Sequence, residues 1–352
     1  MATKTPAPLV SVIISAYNHE NFVQETIKSI IEQTYQNIEL IIIDDGSTDL
    51  TWQKILDMQE ECNKRFSNVI FETQENQGTC KTLNKLLSYV NGDYVYIIDS
   101  DDAALKNAIE TEVNFLECND DYALVVGNNY FIDKDSNIVY LDKEGNITYD
   151  KENAKYLNVI DFNCSNRDDA LENFGSYESL YRGNYIPNGY LIRKNIFDII
   201  GQFTPQAPLE DYWLMLQIAK YSKIKYIDET LYLYRLHGKN TRMNRKKMYI
   251  MTEKTLNWEY HFVNSLKKHP DFEIYKKIIM INKLNYIYDG WYKDAAYFEP
   301  TMTLYYTFFH ARLHNPKYLF LWLYMRYKWC KSCKSKIRKY LIDHNLYKPK
   351  AK

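Results

Sequence analysis

Tyr94-Val-Tyr-Ile-Ile-Asp-Ser-Asp-Asp102 is the stretch on which the reading of this chain turns: an apolar run, then Asp99, Ser100, Asp101 and Asp102. A short apolar run of β-branched and aromatic residues reads as a buried strand. Open α/β sheets bind their ligands just beyond the carboxyl ends of their strands, so these acids stand where a ligand belongs. Carboxylate oxygens suit Mg²⁺ or Mn²⁺, which proteins usually hold with one or two carboxylates plus substrate phosphates. The stretch asks for a cation and a diphosphate.

Outward from it, strand and helix signals alternate through residues 1–133. Residues 9–15, 38–43, 69–73, 94–98 and 123–132 read as strands, and 22–33, 51–62, 79–90 and 104–118 as helices. Phe22, Val23, Ile27, Ile30 and Ile31 show the helical spacing, and Ser47, Thr48 or Asp49 offers a cap for the second helix. Short connections between alternating elements predict an α/β fold, a mostly parallel sheet with helices on both faces. Residues 145–182 are polar and weakly patterned, the place for a substrate-specific loop. Then 185–193 reads as extended, 210–221 as helix and 225–236 as strand. From residue 241 to 352 every signal is helical, with Pro270, Pro300 and Pro316 as punctuation.

Composition sets bounds on function. A net charge of −1 and 46% hydrophobic residues describe an ordinary core-forming protein. The 33 Tyr and 6 Trp suit sugar or membrane-interface contacts, although an AT-rich coding sequence would raise Tyr as well. Charge is uneven: residues 317–352 carry 11 Lys and Arg against Asp343 alone, after the aromatic run 318–329. Aromatic residues beside a cationic run suit an anionic membrane surface, each basic residue adding about 1 kcal/mol. The acidic remainder and the lack of a nucleic-acid module argue against nucleic acid. Of six Cys the first four are scattered singly, and with no apolar leader this suggests a reducing, cytoplasmic compartment with free thiols. No run of 18 apolar residues is present to span a bilayer. No Gly-x-Gly-x-x-Gly follows a strand, which speaks against a dinucleotide-dependent oxidoreductase. His310, His314, Cys330 and Cys333 offer four zinc ligands on paper, but the Cys pair would lie inside a helix.

Four pieces recur in one order. They are Val10 to Asn18, ending Ala16-Tyr17-Asn18; Glu39 to Asp49, containing Asp44-Asp45-Gly46-Ser47; Asn76-Gln77-Gly78 leading to the acid tetrad; and Leu209-Glu210-Asp211, followed by Tyr234-Arg235-Leu236-His237. As a set, over residues 9–240, they resemble the family 2 inverting glycosyltransferases of the GT-A (Rossmann-like) fold, in particular those that build bacterial O-antigen and capsular polysaccharides. The resemblance implies a donor half, 1–133, and an acceptor half, 134–240, followed by a helical region, 241–352, that it does not cover.

It also implies roles. Asp45 would accept the imino N–H of a uracil, with Ala16, Tyr17 and Asn18 around the base; thymine offers the same donor, so UDP- and TDP-sugars both remain open. Asp101 would bind Mn²⁺ or Mg²⁺, Asp99 would approach the ribose or the metal, Ser100 would lie at the donor, and Asp102 would support them. Lys81 stands near the place of a family Arg, where this chain has Leu83-Asn84. His237 would contact diphosphate or metal, with Arg235 and Lys239 as further phosphate contacts. Asp211 would be the general base and Glu210 would orient the acceptor, although first-turn acids also favour a helix dipole. One base and a metal suffice for direct displacement, whereas glycoside hydrolysis needs two opposed carboxylates. The implied activity is transfer from a nucleotide-sugar donor to a polyprenyl-diphosphate-linked saccharide, by an enzyme docked peripherally at the inner face of the cytoplasmic membrane. A rhamnosyltransferase using TDP-rhamnose and a non-catalytic assembly protein are the alternatives.

Overall fold

The computed structural model describes residues 7–164, 171–238, 240–241, 244–266 and 271–275. Met1–His269 forms one unit and Pro270–Lys352 another. The helices and basic tail expected beyond residue 275 lie outside the described residues, as do Lys239 and the paired His and Cys of the tail.

The first half runs β1 (Val10–Ala16), α1 (Val23–Ile31), β2 (Ile38–Asp44), α2 (Thr51–Leu56), α3 (Gln59–Arg65), β3 (Val69–Thr73), α4 (Thr79–Tyr89), β4 (Tyr94–Ile97), β5 (Ala103–Ala104) and α5 (Ala108–Glu117). It continues with β6 (Tyr122–Ile132), β7 (Ile138–Leu141), β8 (Ile147–Thr148), α6 (Val159–Asn163), α7 (Tyr177–Arg182), β9 (Tyr190–Arg193), α8 (Ile196–Ile200), α9 (Glu210–Tyr221), β10 (Lys223–Arg235) and α10 (Arg245–Ser265).

The sheet is the expected α/β layer. Its order is β3-β2-β1-β4-β9-β6-β10-β5, with β7 and β8 attached beside β6. The first four strands are parallel, and all seven residues of β2 are buried, as a strand covered on both faces must be. Alternation divides β1 by face. Val10, Val12, Ile14 and Ala16 share a core with Val23, Ile27 and Ile30 of α1 and Ile109, Val113 and Leu116 of α5. Ile13 and Ile41, equally buried, point to the opposite face, where α4 packs on β1 and β2. Burying side chains such as these stabilises by roughly 1.5–3 kcal/mol each.

Three expectations change. The sheet is mixed beyond β4, because β9 runs antiparallel to both β4 and β6 before β10 returns parallel to β6. The helix expected over 104–118 begins later, since Ala103 and Ala104 pair with Leu233 and Tyr232 as a short edge strand. The helix expected over 51–62 divides into α2 and α3, with no Gly or Pro marking the break.

This topology positions the site. Ala16 stands opposite Asp44, and Ile13 opposite Ile97, so β1, β2 and β4 all end at one edge. Antiparallel β9 begins at that edge, Tyr190 pairing with Ile97. β10 ends there with Arg235, whose backbone N–H donates to Asp102 Oδ1 at 2.7 Å.

Candidate active site

The loops after β1 and β2 are fastened to each other. Asn18, at φ +56°, donates its backbone N–H to Ser47 Oγ at 2.9 Å and accepts from the Thr48 N–H at 2.8 Å through Oδ1. The His19 N–H reaches Thr51 Oγ1 at 2.8 Å. Ala16 is buried, and its carbonyl accepts from the Asp45 N–H. Tyr17 is 46% exposed and presents its ring to solvent at this edge.

Asp45 is buried and braces the turn ahead of α4. Its Oδ1 accepts from Gln74 Nε2 and the Gln77 N–H, and its Oδ2 from the Gly78 N–H, all at 2.8–2.9 Å. Burial would push this carboxyl up, but the bonds from Gln74, Gln77, Thr82 and Gly78 outweigh it and hold Asp45 below its ordinary range. Gly46, at φ +73°, is required here: a Cβ would stand 2.7 Å from the Asn76 nitrogen. Asp44, also buried, accepts from the Ser47 N–H and from Thr73 Oγ1, so it serves the same turn.

The four residues of the acid tetrad point in different directions. Asp102 is buried against the backbone of Arg235. Burial and the charges of Asp101 and Asp99 push its carboxyl well up. The buried Ser100 hydroxyl lies 2.8 Å from His19 Nδ1. Asp101 Oδ2 lies 2.8 Å from His237 Nε2 and 3.9 Å from His19 Nε2. Burial alone would raise Asp101, but the His237 bond and the His19 and His237 charges hold it below the usual range. His19, Asp101 and His237 bring ligand atoms within 4.8 Å of one another, a spacing and a donor set that fit a divalent metal.

Asp99, expected beside Asp101 as a second ligand, does not join this cluster. Its Oδ2 accepts from Asn188 Nδ2 at 2.6 Å, on the loop that enters β9. Burial and the charges of Asp101 and Asp211 push its carboxyl up to about 7. Asp211, in the first turn of α9, accepts from Asn184 Nδ2 at 2.7 Å and is raised by burial. Glu210 is pushed up to about 8 by burial, then by the charges of Asp211 and Asp99. Asp99, Glu210 and Asp211 are therefore near neighbours, with carboxyls displaced toward neutral pH, as catalytic carboxyls often are.

The segment leading into helix α9 is tied to helix α4 through Asn84. Its Nδ2 donates to the Phe203 carbonyl at 2.9 Å and its Oδ1 accepts the Phe203 N–H at 2.8 Å, just ahead of Glu210. Lys81 lies exposed on the first turn of the same helix α4.

Arg235 is no phosphate contact. It is fully buried, donating from Nε to the Asp101 carbonyl at 2.6 Å and from its terminal nitrogens to the Asp133 carbonyl, Ser136 Oγ and Glu25 Oε2. Its guanidinium also lies 5.0 Å above the Phe22 ring. A Tyr-Arg pair at a strand end signals a cation, not which way it turns. His19, Asn184 and Asn188 are additions that sequence reading missed. His19 follows the Tyr17-Asn18 pair directly and was legible as a histidine at the same strand edge. The two Asn carried no signal.

Residues 11–173 match the family model described as glycosyl transferase family 2. Glycosyltransferase GlyG of Streptococcus pneumoniae is 30% identical over 278 residues, which is 74% of this chain and 79% of that relative. S. aureus TarS 1–349, solved in complex with UDP-GlcNAc, matches with a TM-score of 0.54 at 15% identity, covering 80% of this chain and 75% of that one. The mannosyltransferase PcManGT from Pyrobaculum calidifontis, solved with GDP-Man and Mn²⁺, matches with a TM-score of 0.53 at 15% identity, covering 94% and 87%. The two structures establish the fold as GT-A-like. Ordered motifs, sheet topology and sequence identity agree that this chain is an enzyme of the glycosyltransferase kind and belongs to glycosyl transferase family 2.

Proposed function

We propose that the chain is an inverting, metal-dependent glycosyltransferase that moves a hexose or N-acetylhexosamine from a UDP-sugar to a hydroxyl of a lipid-linked oligosaccharide in bacterial surface-polysaccharide assembly. One observation carries the reading. A metal-type cluster around Asp101 and a carboxyl pair at Glu210 and Asp211 share one sheet edge, and Asp99 feels the charge of both Asp101 and Asp211.

Asp45 stays ionised and offers an acceptor to the imino N–H of the base, while the exposed Tyr17 ring is available to flank it. Asp99 and the Ser100 backbone would meet the ribose and diphosphate. Asp101 and His237 would hold Mn²⁺ or Mg²⁺, and the bound ion supplies Lewis acidity that balances charge on the departing diphosphate. Asp211, raised by burial, takes the proton of the acceptor hydroxyl. The acceptor oxygen bonds to the anomeric carbon on the face opposite the diphosphate, the carbon–diphosphate oxygen bond breaks, and the configuration inverts. Glu210 keeps a proton to about pH 8 and donates it in a hydrogen bond that orients the acceptor, so the neighbouring carboxyls divide their roles.

TarS was solved with UDP-GlcNAc and PcManGT with GDP-Man in similar folds, so the choice of UDP rests on the acceptor that Asp45 offers to a uracil imino N–H. The basic, aromatic residues 317–352 would bring the enzyme to an anionic cytoplasmic membrane surface and its polyprenyl-diphosphate acceptor. Among the described residues no helix is long and apolar enough to cross a membrane. The test is a panel of nucleotide sugars incubated with Mn²⁺, Mg²⁺ or EDTA, with the product anomer read by proton NMR. UDP-sugars are consumed with metal and not with EDTA, and the transferred sugar has inverted configuration. Consumption of no nucleotide sugar, or a retained anomer, overturns the reading.

A further inference from the structure

We propose that His19 is a metal ligand, completing with Asp101 and His237 a two-histidine, one-carboxylate set that selects a first-row transition ion over Mg²⁺. The inference rests on the metal-dependent reading above and names what that reading leaves open, the third ligand and the kind of ion.

Two donors each about 2.1 Å from one ion stand roughly 3 Å apart when adjacent and roughly 4.2 Å apart when opposite. Of the separations here, 3.9 Å from Asp101 Oδ2 to His19 Nε2 falls between these limits and 2.8 Å to His237 Nε2 lies just under the shorter one. One imidazole would satisfy Asp101 as an ion pair. Two imidazoles turned onto the same carboxylate oxygen form a ligand set.

Each ligand is also held from behind, as metal ligands usually are. His19 Nδ1 lies 2.8 Å from the buried Ser100 hydroxyl, so a proton on Nδ1 leaves the Nε2 lone pair facing Asp101. Arg235 Nε fixes the Asp101 carbonyl at 2.6 Å. The backbone N–H of His237 donates to Asn240 Oδ1 at 2.9 Å, which fixes the main chain that carries the ring. Phe22 packs edge-on or tilted against both imidazoles, its centroid 6.3 Å from His19 and 5.0 Å from His237. The His19 side chain keeps 25% exposure and Asp101 13%, so the set is not sealed from solvent.

The chemistry follows from the donor atoms. Mg²⁺ gives up water reluctantly and prefers oxygen, whereas imidazole nitrogen binds first-row ions with an affinity that rises from Mn²⁺ through Co²⁺. Two nitrogens in three protein ligands weight the site toward the latter.

The experiment uses the full chain with Mn²⁺ alone and with Mn²⁺ plus UDP, read by electron spin echo for coupled histidine nitrogens and by calorimetry for affinity. The wild type shows two coupled nitrogens and binds Mn²⁺ at least tenfold more tightly than Mg²⁺. His19→Ala and His19→Gln, each checked for wild-type thermal unfolding, show one nitrogen and lose roughly tenfold or more in Mn²⁺ affinity, while Mg²⁺ affinity holds within about twofold. An unchanged nitrogen count in both variants, or equal wild-type affinity for Mn²⁺ and Mg²⁺, overturns the proposal. Failure to consume any nucleotide sugar, with the nitrogen count as stated, refutes the enzymatic reading and leaves the ligand assignment intact.

Discussion

His237 Nε2 lies 2.8 Å from Asp101 Oδ2 across 136 residues of sequence. β4 delivers Asp101 to the sheet edge and β10 returns to deliver His237, so the contact exists only when the whole sheet is assembled. Arg235 secures it, tying β10 to the Asp101 carbonyl, to the 133–136 turn and to Glu25 of α1.

Glu210 gives a pH signature in stability. Its folded carboxyl titrates near 8, above its unfolded range, so the native state holds the proton more tightly. Its stabilising contribution is fully present below about pH 4, the unfolded carboxyl range, and is lost as pH rises through about 8. Glu210→Gln therefore gains on wild type as pH climbs, by on the order of 1 kcal/mol at pH 9, or roughly 2–4 °C in Tm. Thermal scans at pH 6 and pH 9 check it; equal Tm differences at both would oppose it.

Lys220 and Glu259 are a fully buried ion pair at 2.7 Å, with Tyr177 OH and Gln217 Nε2 also donating to Glu259. It joins α7, α9 and α10. Lys220→Met strands a buried carboxylate and costs about 3–5 kcal/mol. Lys220→Met combined with Glu259→Gln costs less than the two single changes summed, since the stranded charge is gone. Urea unfolding of the three variants provides the cycle.

Gly189, at φ +72°, sits between Asn188 and β9, and a Cβ there would stand 2.0 Å from the Tyr232 ring. The Tyr232 hydroxyl accepts from the Asp99 N–H at 3.3 Å. Gly189→Ala costs about 1–3 kcal/mol and displaces both partners of Asp99, so UDP affinity falls together with turnover. Urea unfolding, with kcat and the UDP Kd measured on the same variant, tests this.

How far the chain was legible from sequence follows from the range of its interactions. Strands such as Val10–Ala16 and Ile38–Asp44 announce themselves because burial on both faces demands unbroken apolar runs. Helix α9 over Glu210–Tyr221 has the bounds expected, with Glu210 and Asp211 in its first turn. Asn184 and Asn188 were not readable, because an amide that orients a carboxylate 27 or 89 residues away leaves no local pattern. Arg235 misled for the same reason: its partners in α1 and the 133–136 turn are set by topology alone. The antiparallel entry of β9 was hidden too, since four residues, Tyr190–Arg193, read alike in either direction.

The most direct test of the central claim is the sugar-transfer rate of Asp211→Asn at saturating UDP-sugar and Mn²⁺, with UDP affinity measured on the same preparation. Removing the base lowers kcat by about 10²–10⁴-fold and leaves UDP affinity within about twofold. A variant that transfers sugar at near wild-type rate would contradict the account at its catalytic residue.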